Sequence, residues 1–481
     1  MQANHPTDTR SRWLALIVLC FGVLMIVLDT TIVNVALPSI RADLGFSEIS
    51  LVWVVNAYML TFGGFLLLGG RLGDIFGQRR LFLLGIAFFT LASLSCGIAN
   101  SQAQLIWARA LQGLGGAVVS AVALSLIMNL FTGQAERAKA MGVYGFVCAG
   151  GGSLGVLLGG VLTSSLSWHW IFLVNLPIGI AVYLLCVSLL PHQVTEAKPQ
   201  RLDIAGAVTI TSSMMLAVYA IVNGNEAGWI SMQTMGMFAL AIMLFIGFIV
   251  VQMRVSTPLM PLSLFRHRNV SVANVVAVLW AAALFAWFFM SALYLQFVLG
   301  YDALKVGLAF LPANLVMALL SLGFSARLVM RFGIRYSLVA GLALAALGLL
   351  WFARVPLQGN FLVDILPAMV LLGLGGGVAF NPLLLAAMND VAPEDSGLAS
   401  GVVNTAFMMG GAVGLAVLAS LAALVSQRLL AVDTALPVAL LQGYRLAFLL
   451  GAVSAGIGAV LVLLLMRESA SDSARHAAVM H

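Results

Sequence analysis

The chain has 481 residues, of which 62% are hydrophobic and only 8% are charged, and its mean hydropathy is +1.08. This composition excludes an ordinary soluble domain and is typical of a chain embedded in a bilayer. The net charge of +6 does not indicate nucleic-acid binding, because the basic residues lie between apolar runs and form no patch interleaved with aromatic residues.

The first segment, 1–12, is polar, and the apolar run behind it is too long for a signal peptide and has no small-residue cleavage site. We expect a cytoplasmic tail that leads into a span over 13–37. Asp29 lies in this span, about 24 Å into a hydrocarbon layer about 30 Å thick, where a charge costs at least ~2.5 kcal/mol. We expect it to be the only deeply buried acid and a functional site, because binding a proton or a cation would relieve that cost.

Apolar runs of about 20 residues predict fourteen spans in an all-α polytopic membrane protein. Their approximate limits are 13–37, 50–70, 80–99, 103–130, 138–164, 169–190, 204–223, 229–252, 270–298, 305–330, 335–353, 361–388, 397–425 and 444–466. Most of the 23 lysines and arginines fall in the tails and even-numbered loops, so the positive-inside rule predicts that both termini are cytoplasmic. The exceptions are Arg41, Lys305, Arg354, Arg428, Arg445 and, inside a span, Arg109.

Three motifs recur at a nearly constant spacing: 71–80 as 327–336, 111–116 as 371–376, and 151–155 as 410–414. This internal repeat predicts two copies of a six-helix unit, with two further helices between them. The predicted organisation is a tail (1–12), a six-helix bundle (13–190), a linker with two additional spans (191–269), a second bundle (270–466) and a cytoplasmic tail (467–481). The four cysteines, Cys20, Cys96, Cys148 and Cys186, lie in apolar runs and are expected to pack as small hydrophobic residues.

The loop between spans 2 and 3 is rich in glycine and arginine. Its glycines allow close helix approach and a tight turn, and its arginines hold the loop inside. Asp74 is expected to act as a latch by pairing with a helix N-terminus or with arginines of a neighbouring helix. The candidate conformational residues are Gly70, Gly73, Asp74, Gly77, Arg79 and Arg80; for the arginines, a role in topology alone is the alternative.

Arg109 is a second charge inside a span. It lies about 10 Å below the outer surface, and Asp29 lies about 6–12 Å below the same surface. Opposite charges at a matched depth would relieve each other's burial. We expect a pair in which Asp29 carries a proton reversibly and Arg109 tunes it; a static ion pair is the alternative.

A further set of polar and aromatic residues inside the spans provides candidate substrate contacts. Aromatic faces attract organic cations by ~0.5–2 kcal/mol each, and 22 Met and 27 Phe can build an adaptable apolar pocket. Trp53, near a span end, is expected to be an interfacial anchor. The candidates are Asn34, Asn56, Tyr58, Gln112, Phe285, Phe289, Tyr294, Gln296 and Asn381.

The motifs together resemble a known family. Residues 70–80 read GRLGDIFGQRR, and with two six-helix halves they resemble the major facilitator superfamily. The chain is similar to its fourteen-span drug:proton antiporter family, because 28–38 (LDTTIVNVALP), 109–113 (RALQG) and 168–177 (WHWIFLVNLP) match the motifs of helices 1, 4 and 6 in order. The resemblance covers nearly the whole chain and implies proton coupling at Asp29 and Arg109.

Span 5 carries a glycine stripe on which another helix can pack and slide. Its candidate conformational residues are Gly151, Gly155, Gly159 and Gly160. The family's antiporter motif is similar but has proline where this chain has Val156, so an expected kink is lost.

Two other classes are disfavoured. An ATP-driven pump needs a phosphate-binding loop with a lysine after glycine, and none of Lys139, Lys198 and Lys305 follows a glycine. A membrane enzyme is disfavoured because all six histidines lie in predicted tails or loops. We predict a bacterial inner-membrane antiporter, not an enzyme, that expels lipophilic cations such as quaternary ammonium compounds, dyes and antiseptics against protons by alternating access. A dedicated exporter of one antibiotic or metabolite is the alternative.

No cofactor and no metal are expected. The expected partners are organic cations, protons and the lipid bilayer, without nucleic acid. The chain is expected to act as a monomer, and a periplasmic adaptor protein is a further predicted partner.

Overall fold

The structure, a computed structural model, describes residues 9–131, 134–190, 202–388, 391 and 396–467. These residues form α-helices, one short 3-10 helix (Leu262–Arg266) and three π-helical segments (Tyr294–Val298, Leu320–Phe324 and Phe361–Ile365), and no β-strand occurs among them. The helices are α1 (Thr9–Leu44), α2 (Val52–Phe76), α3 (Gln78–Gly97), α4 (Gln102–Leu130), α5 (Gln134–Ser165), α6 (Trp170–Leu173), α7 (Asn175–Leu189), α8 (Ile204–Ala227), α9 (Met232–Arg254), α10 (Arg268–Leu293), α11 (Ala303–Leu319), α12 (Ser325–Phe352), α13 (Leu366–Met388), α14 (Ser396–Leu430) and α15 (Leu436–Leu465). The predicted all-helical fold class is confirmed.

Twelve helices of the described ranges are long and apolar enough to cross a membrane, with α6 and α7 forming one of them. They coincide with twelve of the predicted spans. The predicted spans 138–164 and 305–330 fall on α5 and on α11, a shorter apolar helix that continues through a π-helical turn into α12. Most of the predicted tails and the segment 191–201 lie outside the described residues.

The glycine-containing loop after the second span has the same backbone form in both copies of the repeat. Gly77 separates α2 from α3 with a φ of 93°, and its N–H donates to Gly73 O. Gly333 has a φ of 79° inside α12 and divides that helix at the boundary predicted between spans 10 and 11. Residues with a side chain rarely adopt a positive φ, so each turn requires glycine.

The described helices fall into two compact units. The first contains α1–α9 and the start of α11 as far as Leu308, and the second contains α10, the rest of α11 and α12–α15. In the first unit, α8 packs on α2, where Trp53 lies against Tyr219 with ring centroids 6.4 Å apart. In the second unit, a buried cluster around Trp280 takes side chains from α10, α12, α13, α14 and α15. The residue limits predicted for the bundles and the linker stay predictions.

Asp203 corrects the expectation of a single buried acid. It lies at the start of α8 with 4% of its surface exposed. Its carboxylate accepts hydrogen bonds from Gly206 N at 2.7 Å, Gln252 Nε2 at 2.6 Å and Leu259 N at 3.3 Å. In the sequence, Asp203 comes just before the predicted span 204–223 and is therefore expected in a loop. In the structure it is buried, because α8 pairs with α9 and the chain returns to it at Leu259. These donors hold it as a helix cap, and it forms no ion pair with any residue that the structure describes.

Candidate functional site

Asp29 and Arg109 meet inside the first unit. Asp29 comes from the middle of α1 and is 0% exposed, and Arg109 comes from α4 and is 1% exposed. Arg109 Nη1 lies 2.5 Å from Asp29 Oδ2, so the two charges form a direct ion pair. The structure therefore brings together the two residues that the sequence placed at the same depth.

The second carboxylate oxygen of Asp29 is held by amide donors from two other helices. Gln112 Nε2 of α4 donates to Oδ1 at 2.6 Å, and Asn175 Nδ2 of α7 donates to the same oxygen at 3.2 Å. Both amides also donate to Ser93 Oγ of α3, at 2.8 Å and 3.4 Å. Asp29 therefore accepts hydrogen bonds at both oxygens, and the bonds join α1, α3, α4 and α7.

Arg109 has partners besides the carboxylate. Its Nε donates to Val54 O of α2 at 2.9 Å, and its Nη1 donates to Gln112 Oε1 at 2.6 Å. Its guanidinium carbon lies 4.4 Å from the centroid of the Tyr58 ring and 5.6 Å from that of Phe172. Both distances are within the range in which an aromatic ring attracts a cation.

The energetics of this site depend on the pairing. Taking a carboxylate and a guanidinium out of water costs several kcal/mol per ion, which only good geometry and full hydrogen bonding offset. Asp29 and Arg109 meet both conditions, so the paired state is compensated. Separation leaves a buried charge unless Asp29 is neutralised by a proton or Arg109 is replaced by another cation. A buried Asp29 separated from Arg109 would therefore need another positive partner.

The glycine stripe of α5 packs directly against the part of α1 that carries Asp29. A methyl group placed on Gly151 would lie 2.8 Å from Val27 Cγ1, and one on Gly159 would lie 2.7 Å from Ile32 O. One on Gly155 would lie 2.9 Å from Leu28 O and would collide with Thr31 Oγ1. The absence of side chains at these glycines lets the two backbones approach closely.

The predicted conformational residues around Gly77 have different environments. Asp74 and Arg80 are exposed, and Asp74 forms no ion pair with the described residues, so its role as a latch stays a prediction. Arg79 is 9% exposed and donates from Nη2 to Val187 O of α7 at 2.7 Å. A methyl group placed on Gly73 would lie 3.0 Å from Val122 Cγ2 of α4, and one on Gly70 would lie 4.0 Å from Ala121 Cβ, an ordinary contact.

The candidate substrate residues are spread over the two units. In the first, Gln112 and Tyr58 belong to the ion-pair site, Asn56 is buried, and the Asn34 amide donates to carbonyls of its own helix.

In the second unit, Phe289 and Tyr294 are buried, and Tyr294 Oη donates to Pro356 O at 2.9 Å. Phe285 lies against Phe407 with ring centroids 5.8 Å apart. Gln296 and Asn381 are half-buried. The substrate contacts of this set stay predictions.

Asn175 and Ser93 belong to the site, but the sequence did not mark them as candidates. Asn175 lies inside the motif 168–177, and Ser93 is a small polar residue in an apolar run. A polar residue in a span is a signal for both. It is a weak one, because serine often bonds to its own helix and motif membership does not show which side chain a residue contacts.

Comparisons with known proteins agree with this architecture. The sequence profile of the Major Facilitator Superfamily matches residues 19–415. The chain is 38% identical to the puromycin resistance protein pur8 of Streptomyces alboniger, over 97% of this chain and 94% of that protein. It is 40% identical to the cephamycin export protein CmcT of Amycolatopsis lactamdurans, over 87% of this chain and 86% of that protein. A crystal structure of the nucleoside transporter NupG aligns with a TM-score of 0.65 and 11% identity, over 94% of this chain and 100% of that one, which is a likeness of fold alone.

Proposed function

This chain belongs to the Major Facilitator Superfamily and is a multi-pass membrane transporter, and from that premise we propose that it exports lipophilic cations in exchange for protons. The proposed substrates are quaternary ammonium compounds, dyes and antiseptics. The observation that carries the proposal is the buried pair of Asp29 and Arg109, because an acid in an apolar helix stays compensated only while it holds a positive partner.

The proposed exchange uses Asp29 as the carrier. In the paired state, Arg109 supplies the positive partner of the carboxylate at 2.5 Å. A proton that binds Asp29 neutralises it and releases Arg109 to its other partners, Val54 O and Gln112 Oε1. A substrate cation that displaces the proton restores the negative charge of Asp29. Alternation between the protonated and the cation-bound forms of Asp29 couples proton entry to cation exit.

A proteoliposome assay tests the proposal. The wild type should move ethidium, a monocationic dye, when a pH gradient is imposed, and Asp29→Asn should not. Asp203→Asn is the matched control, because Asp203 is a second buried acid among the described residues of the first unit and pairs with no base there, and this variant should keep the exchange. Exchange retained by Asp29→Asn would contradict the proposal.

A dedicated exporter of one antibiotic is the second candidate. The names of two relatives each refer to one kind of antibiotic: one is a puromycin resistance protein and the other a cephamycin export protein. A resistance panel in a pump-deficient host distinguishes the candidates, with monocations, dications and neutral antibiotics as the compounds. Protection against several unrelated monocations favours the multidrug antiporter, and protection against one antibiotic alone favours the dedicated exporter.

We also propose that the protein lies in the inner membrane of a bacterium with both termini in the cytoplasm. The distribution of the 23 lysines and arginines supports this orientation. Fusions of alkaline phosphatase, which is active only in the periplasm, test it. A fusion at the C-terminus should be inactive, and a fusion after Arg41 should be active.

A further inference from the structure

We propose that Tyr58 and Asn175 are positioning residues that set, in opposite directions, the pH at which the Asp29–Arg109 pair opens. The inference rests on the proton coupling proposed above. Each residue touches one member of the pair, and each is 1% exposed. Asn175 acts on the carboxylate, and Tyr58 acts on the guanidinium.

Asn175 favours the closed, ionised pair. Its amide donates to Asp29 Oδ1 at 3.2 Å and to Ser93 Oγ at 3.4 Å. A hydrogen bond to an ionised carboxylate is stronger than one to a neutral carboxyl group. The amide therefore stabilises the ionised state more than the protonated one. Its removal should let Asp29 take a proton at a higher pH.

Tyr58 favours the open state. When Asp29 takes a proton, Arg109 loses the carboxylate that faces it at 2.5 Å, and its charge must be held by what remains. The Tyr58 ring lies 4.4 Å from the guanidinium carbon, and a ring attracts a desolvated cation most strongly when no anion neutralises that cation. Its removal should therefore require a lower pH to open the pair.

The ring of Tyr58, not its hydroxyl group, carries this effect. The hydroxyl oxygen is buried and has no hydrogen-bond partner among the described residues. Phe172 presents a second ring to Arg109 at 5.6 Å, so it should act in the same direction and more weakly. A change that keeps the ring and removes the hydroxyl group is therefore a matched control for a change that removes the ring.

Among the side chains that the structure describes, few other titratable groups face Asp29. Arg109 of α4 and Tyr58 of α2 are described above, and α3 brings Cys96, whose Sγ lies 3.6 Å from Gln112 Oε1. From α7, Asn175 reaches Asp29 and does not titrate. The α5 helix meets this part of α1 with glycines.

Infrared difference spectroscopy on the purified full-length transporter tests the inference without a substrate. The protonated carboxyl group of Asp29 gives a C=O stretching band that appears on acidification, and Asp29→Asn identifies that band by removing it. The pH at which the band reaches half of its intensity is the measured midpoint. The variants are Asn175→Ala, Tyr58→Leu and Tyr58→Phe, with Asn175→Ser and Phe172→Leu in reserve for variants that do not fold.

The inference predicts midpoints that move in opposite directions. Asn175→Ala should raise the midpoint by about half to one pH unit, which corresponds to the loss of one weak bond to a charged group. Tyr58→Leu should lower it by a similar amount, from the loss of one cation–π contact. Tyr58→Phe should leave it in place.

Two failures are distinguishable. If no band assigned to Asp29 appears at any pH in the wild type, the acid stays ionised and the proposed proton coupling is wrong. If the band titrates in the wild type but Asn175→Ala and Tyr58→Leu move it in the same direction or not at all, the coupling stands and the positioning roles are wrong. A shift in Tyr58→Phe equal to that in Tyr58→Leu would assign the effect to the hydroxyl group and overturn the role of the ring.

Discussion

In the first unit, Gly151 of α5 lies against Val27 of α1, and a methyl group placed on the glycine would be 2.8 Å from Val27 Cγ1. In the second unit, Gly410 of α14 lies against Val278 of α10, and the corresponding distance to Val278 Cα is 2.6 Å. The repeated glycines of the sequence thus make the same kind of helix contact in both units. These helices correspond in the repeat: α1 and α5 are the first and fifth spans of the first predicted bundle, and α10 and α14 are the first and fifth spans of the second.

Two residues beyond these contacts the units differ in chemistry. Two residues after Val27 comes Asp29, which is buried and paired, and two residues after Val278 comes Trp280, which is buried at the centre of an apolar cluster. Polar residues of the first unit are also replaced by apolar residues in the second unit on the helix that carries the second repeated motif, 111–116 and 371–376.

That helix is α4 in the first unit and α13 in the second. Arg109 and Gln112 of α4 correspond in the repeat to Met369 and Leu372 of α13, and all four are buried. One packing arrangement therefore tolerates either a polar network or an apolar core. The charged pair is not required by the fold, which favours a functional reason for its presence in one unit.

The largest expected effect comes from removing the carrier. Asp29→Asn should lower proton-driven export by at least about 100-fold, since a neutral amide cannot exchange a proton for a cation. The measurement is ethidium efflux from proteoliposomes under a pH gradient. The matched change in the second unit, Trp280→Phe, keeps an apolar ring and should retain export if only the first unit carries the proton. A loss of export in both variants, with both proteins folded, would contradict the prediction that only the first unit carries the proton.

Much of the comparison was accessible from the sequence, because glycine motifs and buried charges are visible in a single chain. The recurring motifs indicate the repeat, the apolar run lengths predict the twelve spanning helices among the described residues, and matched depths predict the contact of Asp29 with Arg109. The depth of a residue in the membrane, however, does not tell in which direction around the helix axis its side chain points. For that reason the sequence does not show that Asn175, Ser93 and Gln112 join the hydrogen-bond network of Asp29.

The burial of Asp203 shows a second limit. Its carboxylate is satisfied by Gln252 and Leu259, which are far along the chain, so only the folded pairing of α8 with α9 makes it a core residue. A linker composition predicts exposure. Long-range pairing of this kind leaves no periodic signal in the sequence.

The next largest effect concerns stability. Arg109→Met gives the first unit the residue of the second, Met369, but leaves Asp29 buried without a counter-charge, and it should cost about 3–5 kcal/mol. Adding Asp29→Leu should recover most of that loss, because replacing a whole buried pair with apolar residues is often neutral. Thermal unfolding in detergent measures both variants. If the double variant is no more stable than Arg109→Met, the two positions are not coupled as the structure indicates.

Transport stoichiometry should follow from the same asymmetry. With one carrier acid in the first unit and an apolar Trp280 in its place in the second, one proton should replace one monocation without net charge movement. Export of a dication would then move one charge outward against about 2.3 kcal/mol per 100 mV. Proteoliposomes with an imposed voltage and no pH gradient measure this directly. Voltage-driven export of a monocation would require a second carrier group.

The smallest expected effect comes from the shared packing. A methyl group at Gly155 would meet Leu28 O at 2.9 Å, and one at Gly414 would meet Ala282 Cα at 2.5 Å, so Gly155→Ala and Gly414→Ala should each cost about 1–3 kcal/mol of stability. Only Gly155→Ala should also shift the pH dependence of export, because it displaces α1 one residue from Asp29. Gly236→Ala on α9, where a methyl group meets nothing within 4 Å, is the control and should not lower the unfolding temperature. Equal pH shifts in Gly155→Ala and Gly414→Ala would mean that helix packing, and not the position of the acid, sets the response.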